Sequence, residues 1–599
     1  MVNMKVKIFF IATLLGCTFT ACNDGFLERY PNDKLTDNTL WQSEADFRAY
    51  ALELYDFNGF GAGYSGNVLY NNSDEICRGA MNQDSRIFDR RVVPETGGSW
   101  NWSYLRNVNM MVNAAKNCKL PSEAKLHWEG VARFFRAKVY LSKVQCFNDV
   151  PWINEELTTT SEDLYKPKDS RALVMDSVLA DINFAAKYIR IDGGENQINR
   201  DVALALKSEI CLFEGTYRKY HKELNFNDLE KWLQESVNAS EALMNSKYSL
   251  CDDFRSLYSS LDLAGNPEVI LYKQYESGVI TNALSQHITM GESSTGTWGG
   301  TKDAVEAFLC EDGLPYGVSP LHPKAVLGEP EYLEEEFKDR DPRLLMTFVM
   351  PYSGSNPIQL PAMRNAYSQE VPPFMPAFTG EGFIHTPSGY HIYKFWNPDS
   401  PNTDATTGIT DAPIYSLNII LLNYAEAMEE LGKCDNAVLD KSINLLRKRV
   451  GMPILTVEKA NQINDPKKEK FAPEISPLLW EIRRERQVEL MFTGSRFYDI
   501  LRWKKASYFS KPFVGCYVDL DKRPVEAYNE DGSLKFKAIL GDIGGKKVEG
   551  MTKGYVLPYN GELQPVYSDN DLKLYYEPIN KQELTLNPNL TQSPGWENE

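Results

Sequence analysis

The residues best placed for chemistry sit in LLWEIRRERQVELMFTGSRFYDILRW, residues 478–503. Its first half reads as one helix, and a step of about 100° per residue puts Leu478, Leu479, Ile482, Leu490 and Phe492 on one apolar arc. Glu485, Arg486 and Glu489 fall in the middle of that arc. Two carboxylates four residues apart face the same side and repel. They could be an acid/base pair, but glycosidase carboxylates usually flank a scissile bond from separate elements. Two charges on one buried helix face instead require cationic partners. Arg486 is one candidate and Arg496, in the next turn or just beyond, is another, so a neutralised structural network is the expected reading.

Other catalytic signatures are missing. The sequence has no HExxH, Walker A or GxSxG pattern. The histidines at 127, 221, 287, 322, 385 and 391 have no metal-ligand spacing, although His385 and His391 are close in an aromatic loop. GAGYSG (61–66) matches GxGxxG, but the segment before it reads helical and the segment after it starts no helix, against the dinucleotide fingerprint. No catalytic residue, metal site or cofactor is expected.

Sugar binding needs a different kit. Pyranose C–H faces pack on flat aromatic rings, and hydroxyls need Asn, Asp, Gln or Arg partners. The aromatics must be exposed, which directs attention to loops. Trp298 lies in SSTGTWGG, with no apolar periodicity to bury it. Trp100 and Asn101 follow a Gly-Gly loop, Tyr64 lies in GAGYSG, and Arg78 lies in DEICRGAMNQ. Tyr390 and Trp396 flank an expected strand. For any one of these aromatics core packing competes with ligand contact, and Trp102 is assigned to a helix core.

The elements that must position these residues are mostly helices. Residues 127–147, 201–220, 228–250, 415–433 and 437–451 carry helical spacing, with Ala or Gly where helices must approach closely. The pattern predicts a mostly α protein with four degenerate, interrupted tetratricopeptide-like helix pairs. The scaffold is expected mainly over 40–253 and 413–505. Residues 254–412 and 506–574 are rich in Pro, Gly, Ser, Thr and aromatics, and predict a loop-rich, short-strand cap for ligand binding. Asp531-Gly532 suggests a hairpin turn.

The chain has 599 residues, 43% of them hydrophobic, which is enough for a large core. A formal charge of −18 argues against nucleic acid as a ligand. Lys5 and Lys7, the apolar run 8–15 and small residues thereafter form a secretory signal over residues 1–21. No later run is long enough to span a membrane. Cys17 and Cys22 compete as the lipid-bearing residue. LLGC is the better consensus, but Cys22 leaves a full apolar stretch before it and polar NDG after it, and is preferred. Removing Lys5 and Lys7 leaves a mature charge of about −20. The eight later cysteines include no CxxC and suggest neither zinc nor a disulfide framework.

Five stretches in order resemble the SusD-like (RagB/SusD) outer-membrane lipoproteins of the Bacteroidetes. They are CNDGFLERYP (22–31), ARFFRAKVYLSKVQCFNDVPW (132–152), the pair LLNYAEAMEELG and INLLRKRVGMP, IRRERQVELMFTGSRFYDILRW (482–503) and YYEPINKQELTLNPNLTQSPGW (575–596). Thr493 stands where the family often has an acid, and Phe19 is atypical for the lipid signal. The resemblance implies a single SusD-like domain over 22–599, lipid-anchored at Cys22 on the outer face of the outer membrane. It implies non-catalytic capture of glycan and delivery to a SusC-like TonB-dependent transporter, with membrane contact only through the anchor. A peptide or other nutrient cargo is the alternative, and a surface glycoside hydrolase ranks below both.

Overall fold

The computed structural model describes residues 40–56, 63–64, 73–78, 86–192, 196–282, 284, 298–349, 377–378, 385–397, 399–400, 407–519 and 539–598. Cys17, Cys22, the Asp531-Gly532 turn and most of GAGYSG lie outside them. The first half is helical: α1 (Glu44–Glu53), α2 (Ser103–Asn117), α3 (Ser122–Phe147), α4 (Arg171–Tyr188), α5 (Arg200–Tyr220) and α6 (Leu229–Met244). Starts are set by side-chain caps. Ser170 accepts from Leu173 N at 3.4 Å and Asn199 from Val202 N at 3.0 Å. After the cap come α7 (Leu417–Glu430), α8 (Ile443–Arg449), α9 (Pro477–Glu489) and α10 (Ser495–Arg502).

Each helix from α2 to α6 packs on the next. The chain then leaves the scaffold, and α7 returns to pack on α6 and α9. The fold is thus the expected helix-pair scaffold, interrupted by the cap. Two glycines show why small residues were needed. A Cβ at Gly130 of α3 would lie 2.9 Å from Ile189 Cγ1, and one at Gly215 of α5 would lie 2.8 Å from the Leu233 side chain on α6.

Some boundaries differ from the periodicity. Residues 412–416 form a strand, not the first turn of α7, because they pair with residues 269–273. The helix expected over 437–451 breaks at Ser442, whose hydroxyl donates to Val438 O at 2.6 Å. The strands are short; among them are β1 (Ile76–Arg78), β2 (Val269–Lys273), β3 (Trp298–Gly300), β4 (Ala412–Ser416), β5 (Tyr517–Asp519), β6 (Leu540–Gly541) and β7 (Lys553–Val556). β1 pairs with β3, β2 with β4, and β7 lies between β6 and β5, all antiparallel.

There are two main apolar cores. One lies among the helices and the other, aromatic-rich, lies in the cap. Helix α9 and its C-terminal turn serve both: Leu478, Ile482 and Leu490 enter the helical core, while Val488, Met491 and Phe492 enter the cap core. Ser476 caps its start, accepting from Leu479 N at 3.0 Å, with Pro477 at the first helical position. Two left-handed residues, Phe492 at φ 65° and Gly494 at φ 90°, reverse the chain into α10.

The charges of α9 are buried in pairs. Glu485 accepts from Arg343 at 2.6 Å and Arg447 at 2.8 Å. Glu489 accepts from Arg343 and from Asn418 Nδ2, each at 3.0 Å, and pairs with Arg449. The expected partners are therefore corrected. Arg486 turns to Asp499 at 2.9 Å, and Arg496 turns to Asp74 at 2.8 Å. Adjacent helical residues diverge by about 100°, so Arg486 cannot face the same way as Glu485. Burial pushes the Glu489 carboxyl up, but Arg449 and Arg343 outweigh it and hold it at about 2.

Glu489→Gln is expected to destabilise the protein by about 3–5 kcal/mol, as breaking a buried pair does, measured by urea unfolding at pH 7. The wild-type carboxyl lies below its ordinary value of 4.5. Its stabilisation is therefore complete above that pH and is lost as pH falls toward 2. The variant should lose less stability over that interval than the wild type, and equal acid slopes would refute the assignment.

Candidate functional site

A cleft of about 340 Å³ opens where the scaffold meets the cap. That is at the small end of the roughly 300–1,000 Å³ typical of ligand pockets. Its walls come from α3, α5, β4, α7 and the α9–α10 turn.

The floor is ionic and closed. Arg486 donates to Asp499 and, at 2.8 Å, to Asn423 Oδ1. Arg502 donates to Asp499 at 2.9 Å and to both oxygens of Glu426 at 2.7 and 2.6 Å. Asp499 is thus clamped between two guanidiniums, with its oxygens engaged in charge-assisted hydrogen bonds. At the rim, Glu209 accepts from Lys138 at 3.1 Å and from Tyr415 Oη at 2.7 Å. Every carboxylate lining the cleft is thus engaged by a cation.

What the rim offers a ligand is an aromatic ring and hydroxyls. Tyr498 of α10 lines the cleft and is 42% exposed. It is nevertheless set among protein atoms on its other sides, and burial pushes its phenol up to about 12, so it stays a neutral donor. Thr493, Ser495 and Gln145 lie along the same walls, half-buried.

The turn that carries Thr493 and Ser495 is braced from the cap side. Lys394 Nζ donates to Glu489 O at 2.9 Å and Met491 O at 3.0 Å, closing the C-terminus of α9. Burial drives the Lys394 amine down to about 7. Glu75 accepts from Phe492 N at 3.4 Å, and burial pushes its carboxyl up to about 8.

The residues singled out from sequence fall elsewhere, with one exception. Tyr64 lines the cleft, but its ring is buried against Phe395 and its hydroxyl donates to Tyr258 O at 2.8 Å. Trp298 is in β3, opposite Arg78 of β1, and β3 is joined to Tyr390 by the Gly300 N to Tyr390 O bond at 3.0 Å. These three are therefore neighbours in the cap, but Trp298 and Tyr390 are only 4% and 0% exposed. The Arg78 side chain lies outside the described residues. Trp396 packs on Tyr393. Trp100 stacks edge-on against Phe147 and Trp102 in the helical core, not the cap core, and Asn101 Oδ1 accepts from Ser103 N at 2.9 Å at the start of α2.

The expectation that Trp298, Trp100, Tyr64, Tyr390 and Trp396 stand exposed is thus corrected. Tertiary pairing supplied the apolar contacts that local sequence did not show. Tyr498 was missed, and its signal was present: it is an aromatic off the buried face of a strongly amphipathic helix.

The family emerges from comparison with known proteins. The sequence pattern of the SusD family matches residues 267–596, and the chain belongs to that family. SusD-like protein P38 of Formosa agariphila is 21% identical over 86% of this chain and 94% of its own length. A SusD-like carbohydrate binding protein of Bacteroides fragilis superimposes with a TM-score of 0.64 at 20% identity, covering 92% of this chain and 99% of that one. A laminarin binding SusD-like protein gives a TM-score of 0.56 at 16% identity, covering 92% and 100%.

Trp298→Ala is expected to lower stability by about 3–5 kcal/mol, the cost of emptying a packed aromatic site. Thermal unfolding would check it, and an unchanged melting temperature would make Trp298 an exposed ligand platform again.

Proposed function

We propose that this protein is a non-catalytic, cell-surface glycan-binding lipoprotein. Residues 1–21 would be removed, and 22–599 would form one mature domain held in the outer membrane by lipid on Cys22. It would capture oligosaccharides and pass them to a SusC-like TonB-dependent transporter. Among the described residues no helix is long and apolar enough to cross a membrane, which fits attachment through lipid alone.

The observation that carries the reading is the cleft beside Tyr498. It joins an accessible aromatic ring to hydroxyl and amide side chains, the combination that sugar rings require. Its size suits a short stretch of glycan, with the remainder of a chain left in solvent. Its carboxylates are held by cations, which fits binding better than hydrolysis. The carbohydrate binding recorded for a relative of the same fold supports the same class of cargo. Capture would then rest on stacking first and hydroxyl hydrogen bonds second. The functional contact moves from the buried tryptophans to the α9–α10 turn.

Affinity electrophoresis against a polysaccharide panel is the direct test. Tyr498→Ala should weaken retention about tenfold, equivalent to about 1.4 kcal/mol, with the melting temperature unchanged. Retention on no polysaccharide together with peptide binding would transfer the role to peptide import. Turnover of any polysaccharide would replace it with a hydrolase. For the anchor, Cys22→Ala should move the protein from the membrane fraction to the soluble one, and release by Cys17→Ala instead would shift the lipid site to that residue.

A further inference from the structure

A second cavity lies between α9 and two short helices, Lys302–Ala307 and Pro466–Phe471, and shares no lining residue with the cleft. Its volume is about 30 Å³. One water needs roughly 10–15 Å³, so the space admits a small ion and no sugar ring. Five cations line it, Lys467, Arg483, Arg484, Arg496 and Lys511, against one carboxylate, Asp303. We propose that this cavity is a binding site for a single monoatomic anion, chloride, held by Arg483 and Gln487.

Three observations converge on it. First, buried donors on its wall lack acceptors. Arg483 is only 4% exposed, and its Nε and Nη1 have no hydrogen-bond partner among the described residues. Gln487 Nε2, one turn further along α9, is buried and has none either. Such a donor is costly to leave unmade, most of all on a charged group. The guanidinium is held in place meanwhile. Its Nη2 donates to Glu430 at 2.9 Å, and its plane lies 4.2 Å from the Trp503 ring centre and 5.0 Å from that of Tyr220.

Second, the charge around Arg483 is unbalanced. Lys219, Arg483, Arg486 and Arg502 form one linked set with three carboxylates, Glu426, Glu430 and Asp499. Four cations share three anions, and one chloride balances the set. The other cations on the wall are already matched. Lys467 and Lys511 donate to the two oxygens of Asp303 at 2.7 and 2.8 Å, which offsets the charge of that carboxylate. Arg496 pairs with Asp74, and Arg484 with Asp465 and Glu481.

Third, the unpartnered groups on the wall are donors. A water would accept from them but would also need acceptors for its own protons, whereas a halide only accepts. The cavity meets Arg483 and Gln487 of α9 together with Arg496 of α10 and Lys467 and Lys511 from other segments. An anion there would strengthen the junction of these elements without touching the glycan cleft.

The test uses the intact protein with bromide and chloride as probes. Crystals grown in bromide should show an anomalous peak in contact with both Arg483 and Gln487. Gln487→Glu sets a carboxylate in the anion's place. Gln487 is half-buried, so the variant should fold and lose the peak. In solution, exchanging methanesulfonate for chloride at constant ionic strength should raise the wild-type melting temperature by about 1–2 °C and leave that of the variant unchanged. Glycan retention should be the same in both, so failure of this site leaves the cleft reading standing, and the reverse. Peaks confined to surface lysines, an adventitious ion only, would overturn the proposal. So would a water or a direct Arg483–Gln487 bond in the map, an unchanged wild-type melting temperature, or an equal chloride response in both proteins.

Discussion

A carboxylate removed from water must be paired, or it forces its own protonation or the unfolding of its surroundings. That constraint organises the centre of this molecule. Helix α9 is buried on nearly all sides, and Glu481, Arg483, Arg484, Glu485, Arg486 and Glu489 are all among its buried residues. Each needs a partner from a different part of the chain. Arg343 comes from the cap, Arg447 and Arg449 from α8, Asp499 from α10, and Glu430 from α7. Satisfying these pairs together fixes the cap, the scaffold and the α9–α10 turn relative to one another.

The cleft is a consequence of that arrangement. Its floor is part of the same network, through Arg486, Asp499, Arg502 and Glu426, and its rim is the turn by which α9 ends. Rigid ionic side chains below allow an open aromatic and hydroxyls above. The family's most recognisable helix therefore has two jobs. It holds the cores together, and its C-terminal turn presents side chains to the cleft.

Much of the fold was legible from local patterns. The period of α3, α5 and α6 gave helices close to the observed ones, and the Gly positions marked close helix contacts that the structure contains. The composition of 254–412 marked a departure from long helices, but its described residues carry short helices such as Lys302–Ala307 and Arg343–Thr347 as well as short strands. The site was much less legible. Trp298 has no apolar neighbours in sequence, yet β3 places it opposite β1 and among Phe348, Tyr390 and Phe492 in one core. Loop composition reports a lack of periodic burial, and burial by distant segments leaves no such trace.

The sequence alone determined the helical class, the resemblance to the SusD family and the requirement that Glu485 and Glu489 be neutralised. These depend on residue type and spacing, which are properties of the chain itself. Only the tertiary structure decided which cations neutralise them, which tryptophans are core, and that Tyr498 borders a cleft. Those outcomes depend on contacts between residues that lie tens to hundreds of positions apart, such as Arg343 with Glu489 and Arg496 with Asp74. Separation of that kind is set by packing and by the pairing of buried charge, and no local pattern encodes it.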